Sequence, residues 1–310
     1  MYETENTNHH EVNSMVLPAL LVNLRTHHAQ AGDTTLSAGS VIGIDFWGEP
    51  SFSVDEDGPS IVFTFTPAAL NMPSGEFPVT DSLVKSVTVG EQAPTAVIIT
   101  IERYFPGPWQ LDQDLRGPCR YNVYIDPAPL FPLFTDKVVL LDPWIRPHVF
   151  SPTNLPEKVP TYDIARRLAH LLAGVQAKPH FSIFSPTFPA LSPTAVRNGH
   201  PCHAVLSLAT LYHPACPRSG FGVLTVPASA PSQRLVNVLK QELQLKLPLP
   251  FISEGPTSCR LLREIPAPVA VVQVGCISHR IDEGLLRDID YKQKVAQGIF
   301  NALRRFFSQK

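Results

Sequence analysis

Glu157, the imidazoles of His148 and His213, the thiol of Cys276 with His279 just after it, and the run His200-Pro201-Cys202-His203 are the side chains of this 310-residue chain best suited to hold a metal or attack a carbonyl. Two imidazoles and a carboxylate form the ligand set of a hydrolytic zinc, which keeps a position open for water and lowers that water's pKa. His148 and His213 each sit beside a proline, Pro147 and Pro214, in segments that read as loops. A metal shared with Glu157 therefore needs both loops to fold over it. His200, Cys202 and His203 combine with His213 and Cys216 in a spacing loosely like that of structural zinc. The apolar run between them would carry the two halves about 20 Å apart, at about 3.3 Å per residue. Cys276 and His279 share one tight turn with no oxyanion-hole pattern, so a buried, inert thiol is expected.

Composition narrows the classes further. A net charge of −2 without a dense Lys/Arg run gives no electrostatic reason to bind nucleic acid. Five cysteines, an odd number in no framework-like spacing, argue against a disulfide scaffold. Met15 to Leu24 is too short to span a bilayer and follows an acidic leader, so neither a transmembrane segment nor a signal peptide is expected from the chain as written. Glu102-Arg103, Asp112 and Asp114 read as a solvated face.

The elements that must position these groups follow from hydrophobic period. Residues 1–35 are polar and aperiodic apart from the short apolar island, and read as a flexible tail. Between residues 36 and 126, short alternating runs (Val41–Phe46, Ile61–Thr66, Val84–Val89, Val97–Ile101 and Tyr121–Ile125) separated by Gly, Pro and Asp predict a small all-β sandwich. The Pro-rich stretch 127–135 reads as a stiff linker. Beyond it, residues 136–310 alternate strands with helices. Lys137–Asp142, Val205–Leu208 and Val269–Val274 are continuous apolar runs, expected as buried strands. Thr161–Val175 carries Ile164, Leu168, Leu171, Leu172 and Val175 at helical period. The last segment places Ile289, Ala296, Ile299, Phe300, Leu303 and Phe307 on one stripe, with Arg304 and Arg305 off it. The expected fold class is α/β: an N-terminal all-β sandwich, then an α/β domain whose mostly parallel sheet is flanked by helices.

One family fits these pieces in order. Pro266 to Ser278, an apolar strand running Val269-Ala270-Val271-Val272-Gln273-Val274-Gly275-Cys276-Ile277-Ser278, followed by Glu283-Gly284-Leu285-Leu286, resembles the closing strand, turn and helix of the zinc-dependent N-acetylmuramoyl-L-alanine amidases. Leu140-Leu141-Asp142-Pro143 is similar to the family's first strand and Asp-Pro turn, Pro156-Glu157-Lys158 to its Glu-Lys pair, and Leu206-Ser207-Leu208 to the strand bearing its second His. The β-domain, with Ser82–Gly90 and Val97–Ile101, resembles the AMIN module, which implies binding to envelope components.

The resemblance implies a zinc held by two His and one Glu, with a second Glu as base. Carried over residue by residue, the first His position holds Ile145, the ligand Glu is kept as Glu157, the second His position holds Ala209, and the catalytic Glu is Gln273. Ile and Ala offer no lone pair to a metal, and an amide does not act as a base. The expectation is therefore a pseudoenzyme with no catalytic or metal residue set intact, no cofactor, and peptidoglycan or a cell-wall protein as its partner. Apolar Trp144, Ile145 and Ala209 are expected to fill the former cavity or line a dry groove, with Glu157, Gln273, Trp144 and Arg146 as the ligand-binding candidates. The alternatives are an active zinc amidase whose relocated ligands are His148 and His213, and a purely structural envelope or sporulation component. The family implies the cell envelope, which the lack of a signal-like start opposes.

Overall fold

The computed structural model describes residues 17–28, 39–79, 81–92, 95–114, 118–213, 215, 218–225, 229–256 and 259–309. Residues 1–16 and 29–35 of the expected tail, and Cys216 of the expected metal cluster, lie outside the described residues.

Among the described residues ten strands come first: β1 (Ala19–His28), β2 (Ser40–Trp47), β3 (Ser51–Asp57), β4 (Ser60–Thr66), β5 (Ala68–Leu70), β6 (Gly75–Pro78), β7 (Val84–Gln92), β8 (Ala96–Arg103), β9 (Trp109–Asp114) and β10 (Cys119–Ile125). They form two five-stranded sheets, ordered β5-β1-β2-β10-β9 and β3-β4-β8-β7-β6. Alternation decides which side chains meet: Ile61, Phe63 and Phe65 of β4 and Tyr121, Val123 and Ile125 of β10 are buried. Phe65 touches Phe46 and Tyr121, from the other sheet, with ring centroids 4.8 and 5.1 Å apart. Two expectations need correction. Residues 19–28 are not tail but β1, because their backbone pairs with β2 from Leu20↔Trp47 to His28↔Ser40. Arg103 is not solvated either. It is 0% exposed, and its guanidinium donates to the carbonyls of Pro59, Gly107 and Gly58 and to Glu56.

The stretch expected as a linker is a packed joint. A 3₁₀ turn (Ala128–Leu130) and a single helical turn, α1 (Phe131–Phe134), bury Leu130 and Phe134. The second half of the chain then runs β11 (Val138–Pro143), α2 (Lys158–Gly174), β12 (Lys178–Phe181), α3 (Pro193–Arg197), β13 (Ala204–Leu211), β14 (Phe221–Thr225), α4 (Ala230–Lys246), β15 (Phe251–Pro256), α5 (Arg260–Arg263), β16 (Val269–Cys276), α6 (Arg280–Arg287) and α7 (Ile289–Ser308). Its six-stranded sheet is ordered β12-β11-β13-β16-β14-β15. β12, β11, β13 and β16 run parallel, and β14 opposes β16. The whole is a mixed α/β fold.

Helix α7 is the hub, packed on α2, α4 and α1. Gly298 permits the close approach to α4, since a methyl there would stand 2.9 Å from Leu243. The stripe expected along α7 is too narrow. Ile289 is 62% exposed, whereas Gln297, Asn301 and Arg304 are buried because the β-domain covers them. Ser82 Oγ donates to Asn301 Oδ1 over 2.7 Å, and the Arg304 guanidinium lies 3.8 Å from the centre of the Tyr104 ring. Burial pushes the Arg304 pKa down, and the stacked ring helps to keep its charge. Phe134 stacks on Phe300 with centroids 5.2 Å apart, so the joint and both halves share one core. Phe300→Ala is expected to cost about 3 kcal/mol and to leave a single urea transition for both halves; two separated transitions in intrinsic fluorescence would show that the halves are independent.

Candidate functional site

In open α/β sheets, ligands sit beyond the carboxyl ends of the parallel strands. Here β11, β13 and β16 end together. The Trp144 amide still donates to the Leu208 carbonyl over 2.8 Å, after which the chain leaves the sheet. Ile145 is 48% exposed, while Arg146 turns inward. The connection then folds back through an isolated bridge between Phe150 and Pro156, and Glu157 N donates to Val149 O. Glu157 enters α2 from this return and is 0% exposed.

Glu157 is surrounded by donors. Its Oε1 accepts from Arg146 Nη2 at 2.6 Å, from Thr210 N at 2.8 Å and from Thr210 Oγ1 at 2.9 Å. Its Oε2 accepts from Arg146 Nε at 2.8 Å and from the Arg146 amide at 3.3 Å. Arg146 Nη2 also donates to Thr210 O over 2.6 Å, and the guanidinium rests 5.7 Å from the centre of the Trp144 ring. A carboxylate has about four lone-pair sites, and the guanidinium, the Arg146 amide and Thr210 take them all. An arginine thus stands against the carboxylate that the resemblance assigns to a metal.

The aligned positions do converge. Ala209 and Gln273 are direct register partners in β13 and β16, and Thr210, next to Ala209, grips Glu157. Ala209 is buried with Leu140, Val196, Leu262 and Val271. Gln273 lies flat against β14, where a methyl on residue 222 would come 2.5 Å from its Oε1; only glycine leaves that space. That oxygen is buried, and among the described residues it has no hydrogen-bond partner. Of the apolar filling expected for the cavity, Ala209 and Trp144 pack in one apolar cluster, whereas Ile145 points outward and the Arg146 guanidinium lies against Glu157. Nor does Glu157 offer a ligand any surface.

The relocated set is not brought together. His148 and His213 are exposed, and among the described residues no three His, Cys, Asp or Glu side chains are placed to share a metal. His203 serves the fold, its Nδ1 accepting from Val138 N at 3.0 Å. Cys276 is 0% exposed beside Ser278 Oγ, and His279 Nδ1 faces Asp282 at 3.1 Å. The zinc that the fold implies does not fit the residues present: the one retained ligand is saturated, and a dication beside the guanidinium would be repelled.

Sequence reasoning missed Thr210 and Asp282. Asp282 is 0% exposed and ties the connection before β14 to the end of β16, accepting from Ser219 Oγ (2.6 Å), Gly220 N (3.0 Å) and Cys276 N (2.8 Å). Its place in the first turn of α6 is the only sequence signal for it. Asp282→Asn keeps one oxygen for the two backbone donors but turns an amide donor toward Ser219 Oγ and His279 Nδ1 and removes the buried charge, with an expected loss of about 2 kcal/mol in thermal or urea unfolding; an unchanged midpoint would contradict this. Glu283 beside it accepts from Ser151 at 2.6 Å, and also from Thr153 and Arg287. Burial pushes its pKa up, but these donors outweigh burial and hold it below the ordinary value.

A model of the N-acetylmuramoyl-L-alanine amidase family matches residues 148–305. The chain belongs to that family. Within the amidase match lie Glu157, Ala209 and Gln273; β11 and Ile145 precede it. No curated protein matches this amidase-family chain. Among solved structures, it is similar to the amidase AmiC2 of Nostoc punctiforme (TM-score 0.51, 16% identity, covering 57% of this chain and 99% of that one). It is also similar to Ami1 from Mycobacterium smegmatis (TM-score 0.50, 20% identity, 57% and 99% covered). The CwlD amidase from Clostridioides difficile, solved in complex with the GerS lipoprotein, matches with a TM-score of 0.50 at 16% identity, over 56% and 100% of the two chains. At these identities the likeness shows the amidase fold.

Proposed function

We propose that this amidase-family chain is a catalytically degenerate member that binds peptidoglycan fragments or a cell-wall protein without cleaving them. The observation that carries this reading is the saturated Glu157, held by Arg146 and Thr210 where a metal ligand would need free lone pairs. Hydrolysis of the amide between lactate and L-alanine needs an electrophile to polarise the carbonyl and a base to take the proton from water. Arg146 is a weak substitute for the first, because its charge is spent on Glu157. Gln273, at the base position, has no proton affinity to offer. The CwlD relative's complex with a lipoprotein supports protein binding as a use of this fold. In the same reading the two-sheet N-terminal half is an AMIN-like module, and the chain works at the cell envelope.

The test is incubation of the full chain with purified sacculi. Co-sedimentation with no release of stem peptides freed from muramic acid is expected by mass spectrometry; release that a chelator abolishes would overturn the reading.

A further inference from the structure

Among the described residues, six strands stand at the edges of the three sheets: β3, β5, β6, β9, β12 and β15. An edge strand leaves a row of backbone N–H and C=O groups unpaired, and proteins guard such rows with shortness, proline or lysine. β5 and β6 are three and four residues long, β12 carries Pro179, and β15 ends on Gly255-Pro256. β3, Ser51-Phe52-Ser53-Val54-Asp55-Glu56-Asp57, is the longest of the six and contains no proline, glycine or lysine. It pairs with β4 without a bulge from Ser51↔Thr66 to Asp57↔Ser60, and all seven of its residues are exposed. A regular, open edge is therefore available to another strand.

The period of two divides its side chains between two faces. Phe52, Val54 and Glu56 point toward the other sheet: the Phe52 ring lies 5.4 Å from that of Tyr121, and Glu56 accepts from Arg103 Nη2 at 2.6 Å and from Trp109 Nε1 at 3.0 Å. Phe52 and Val54 still keep 39% and 37% of their surface in solvent, since no strand beyond β3 covers them. Ser51, Ser53, Asp55 and Asp57 point the other way. Among the described residues, Asp55 and Asp57 have neither a hydrogen-bond nor an ion-pair partner. The surroundings offer them no free cation. β4 carries no charge, Glu102 of β8 accepts from Ser60 Oγ at 2.6 Å, Arg103 is committed to Glu56 and three carbonyls, and Arg120 of β10 is paired with Asp45. Glu49 precedes β3, and β9 adds Asp112 and Asp114 across the mouth of the sandwich. The acidic end of β3 lies against Trp109, the end of β9 away from Asp114.

An edge with half-open apolar groups on one face and unpaired carboxylates on the other is complementary to a strand with apolar residues on one face and cations on the other. The same acids disfavour a second copy of this edge, because pairing β3 with itself would put four carboxylates, Asp55 and Asp57 twice, on one face. We propose that β3 receives, as an added strand, an extended segment of a partner protein in which lysine or arginine alternates with β-branched or aromatic residues. Backbone hydrogen bonds along the edge hold such a segment, and the alternate side chains select it. The surface is separate from the amidase-like site, and the proposal holds whether or not that site binds cell wall.

The probe is a fluorescein-labelled synthetic peptide of alternating Lys and Val, titrated with the full chain and followed by anisotropy. Two controls accompany it: the same peptide with Glu for Lys, and the Lys peptide with all its backbone amides N-methylated, which keeps charge and side chains but donates nothing to the edge. The Lys peptide is expected to bind, and each control at least about tenfold more weakly. Asp55→Lys with Asp57→Lys, at exposed positions, is expected to weaken the Lys peptide at least about tenfold and to strengthen the Glu peptide, with an unchanged circular dichroism spectrum. Equal binding of the Lys and Glu peptides, or a charge-reversed variant that binds the Lys peptide like the native chain, would overturn the proposal. An N-methylated peptide that binds as well as its parent would also overturn it, reducing the contact to charge alone. A chain that sediments as a dimer, which the Lys peptide then dissociates, would assign the edge to a second copy and sink the proposal as well.

Discussion

Arg146→Leu is expected to destabilise the chain by about 3 kcal/mol, a large share of the about 5–15 kcal/mol that holds a typical domain together. The leucine leaves Glu157 at 0% exposure with its charge uncompensated, and two of the hydrogen bonds to Oε1 still demand that charge. Coupling is the diagnostic part. Arg146→Leu combined with Glu157→Leu removes both charges and is expected to recover all but about 1 kcal/mol, since a buried pair exchanged for apolar groups is near neutral. Urea titrations of the two single variants and the double variant measure this directly. Additive losses would mean that Arg146 and Glu157 stabilise the fold separately, and that the guanidinium does not substitute for a metal.

The second large effect concerns restoring the metal. Ile145→His, Ala209→His and Gln273→Glu together put back the ligands and base that the resemblance assigns to these positions, yet the triple variant is expected to take up no zinc. Arg146 Nη2 and Nε still hold both oxygens of Glu157, at 2.6 and 2.8 Å, and the guanidinium repels a dication. Adding Arg146→Gly frees the carboxylate and removes the competing charge, and zinc is then expected at a stoichiometry near about one per chain. Circular dichroism guards against misfolding, which matters because Ala209 sits in a tight apolar cluster. Zinc in the triple variant would show that Arg146 does not block the site; a folded quadruple variant without zinc would show that Ile145 or Ala209 is misaligned.

The parts of this fold that were legible in the sequence are those whose pattern is local. Continuous apolar runs disclosed β13 and β16, and alternation disclosed β4, β8 and β10, because one or both faces of each are buried. Strand β1 escaped because Asn23, Arg25, His27 and His28 give it a polar look, and Arg25 earns its place through Asp45 on β2, 2.5 Å away. Strand β3 escaped because an edge strand with every residue exposed has no buried period to read. Arg304 on α7 looks like a surface residue until Tyr104 of the β-domain is placed against it. The site follows the same rule. The positions that the resemblance assigns to the two His and the Glu could be read one by one, since each lies in a local motif. The pairing of Arg146 with Glu157 could not, because it depends on the 144–157 connection folding back and on Thr210 arriving from another strand.

If an arginine takes the place of the metal in this amidase fold, the protein has no site for zinc. Zinc analysis by mass spectrometry, on full-length protein equilibrated with equimolar zinc and then dialysed, tests it most directly. Well under about 0.1 zinc per chain is expected, with no change on Glu157→Gln. About one zinc per chain, lost on Glu157→Gln, would contradict it.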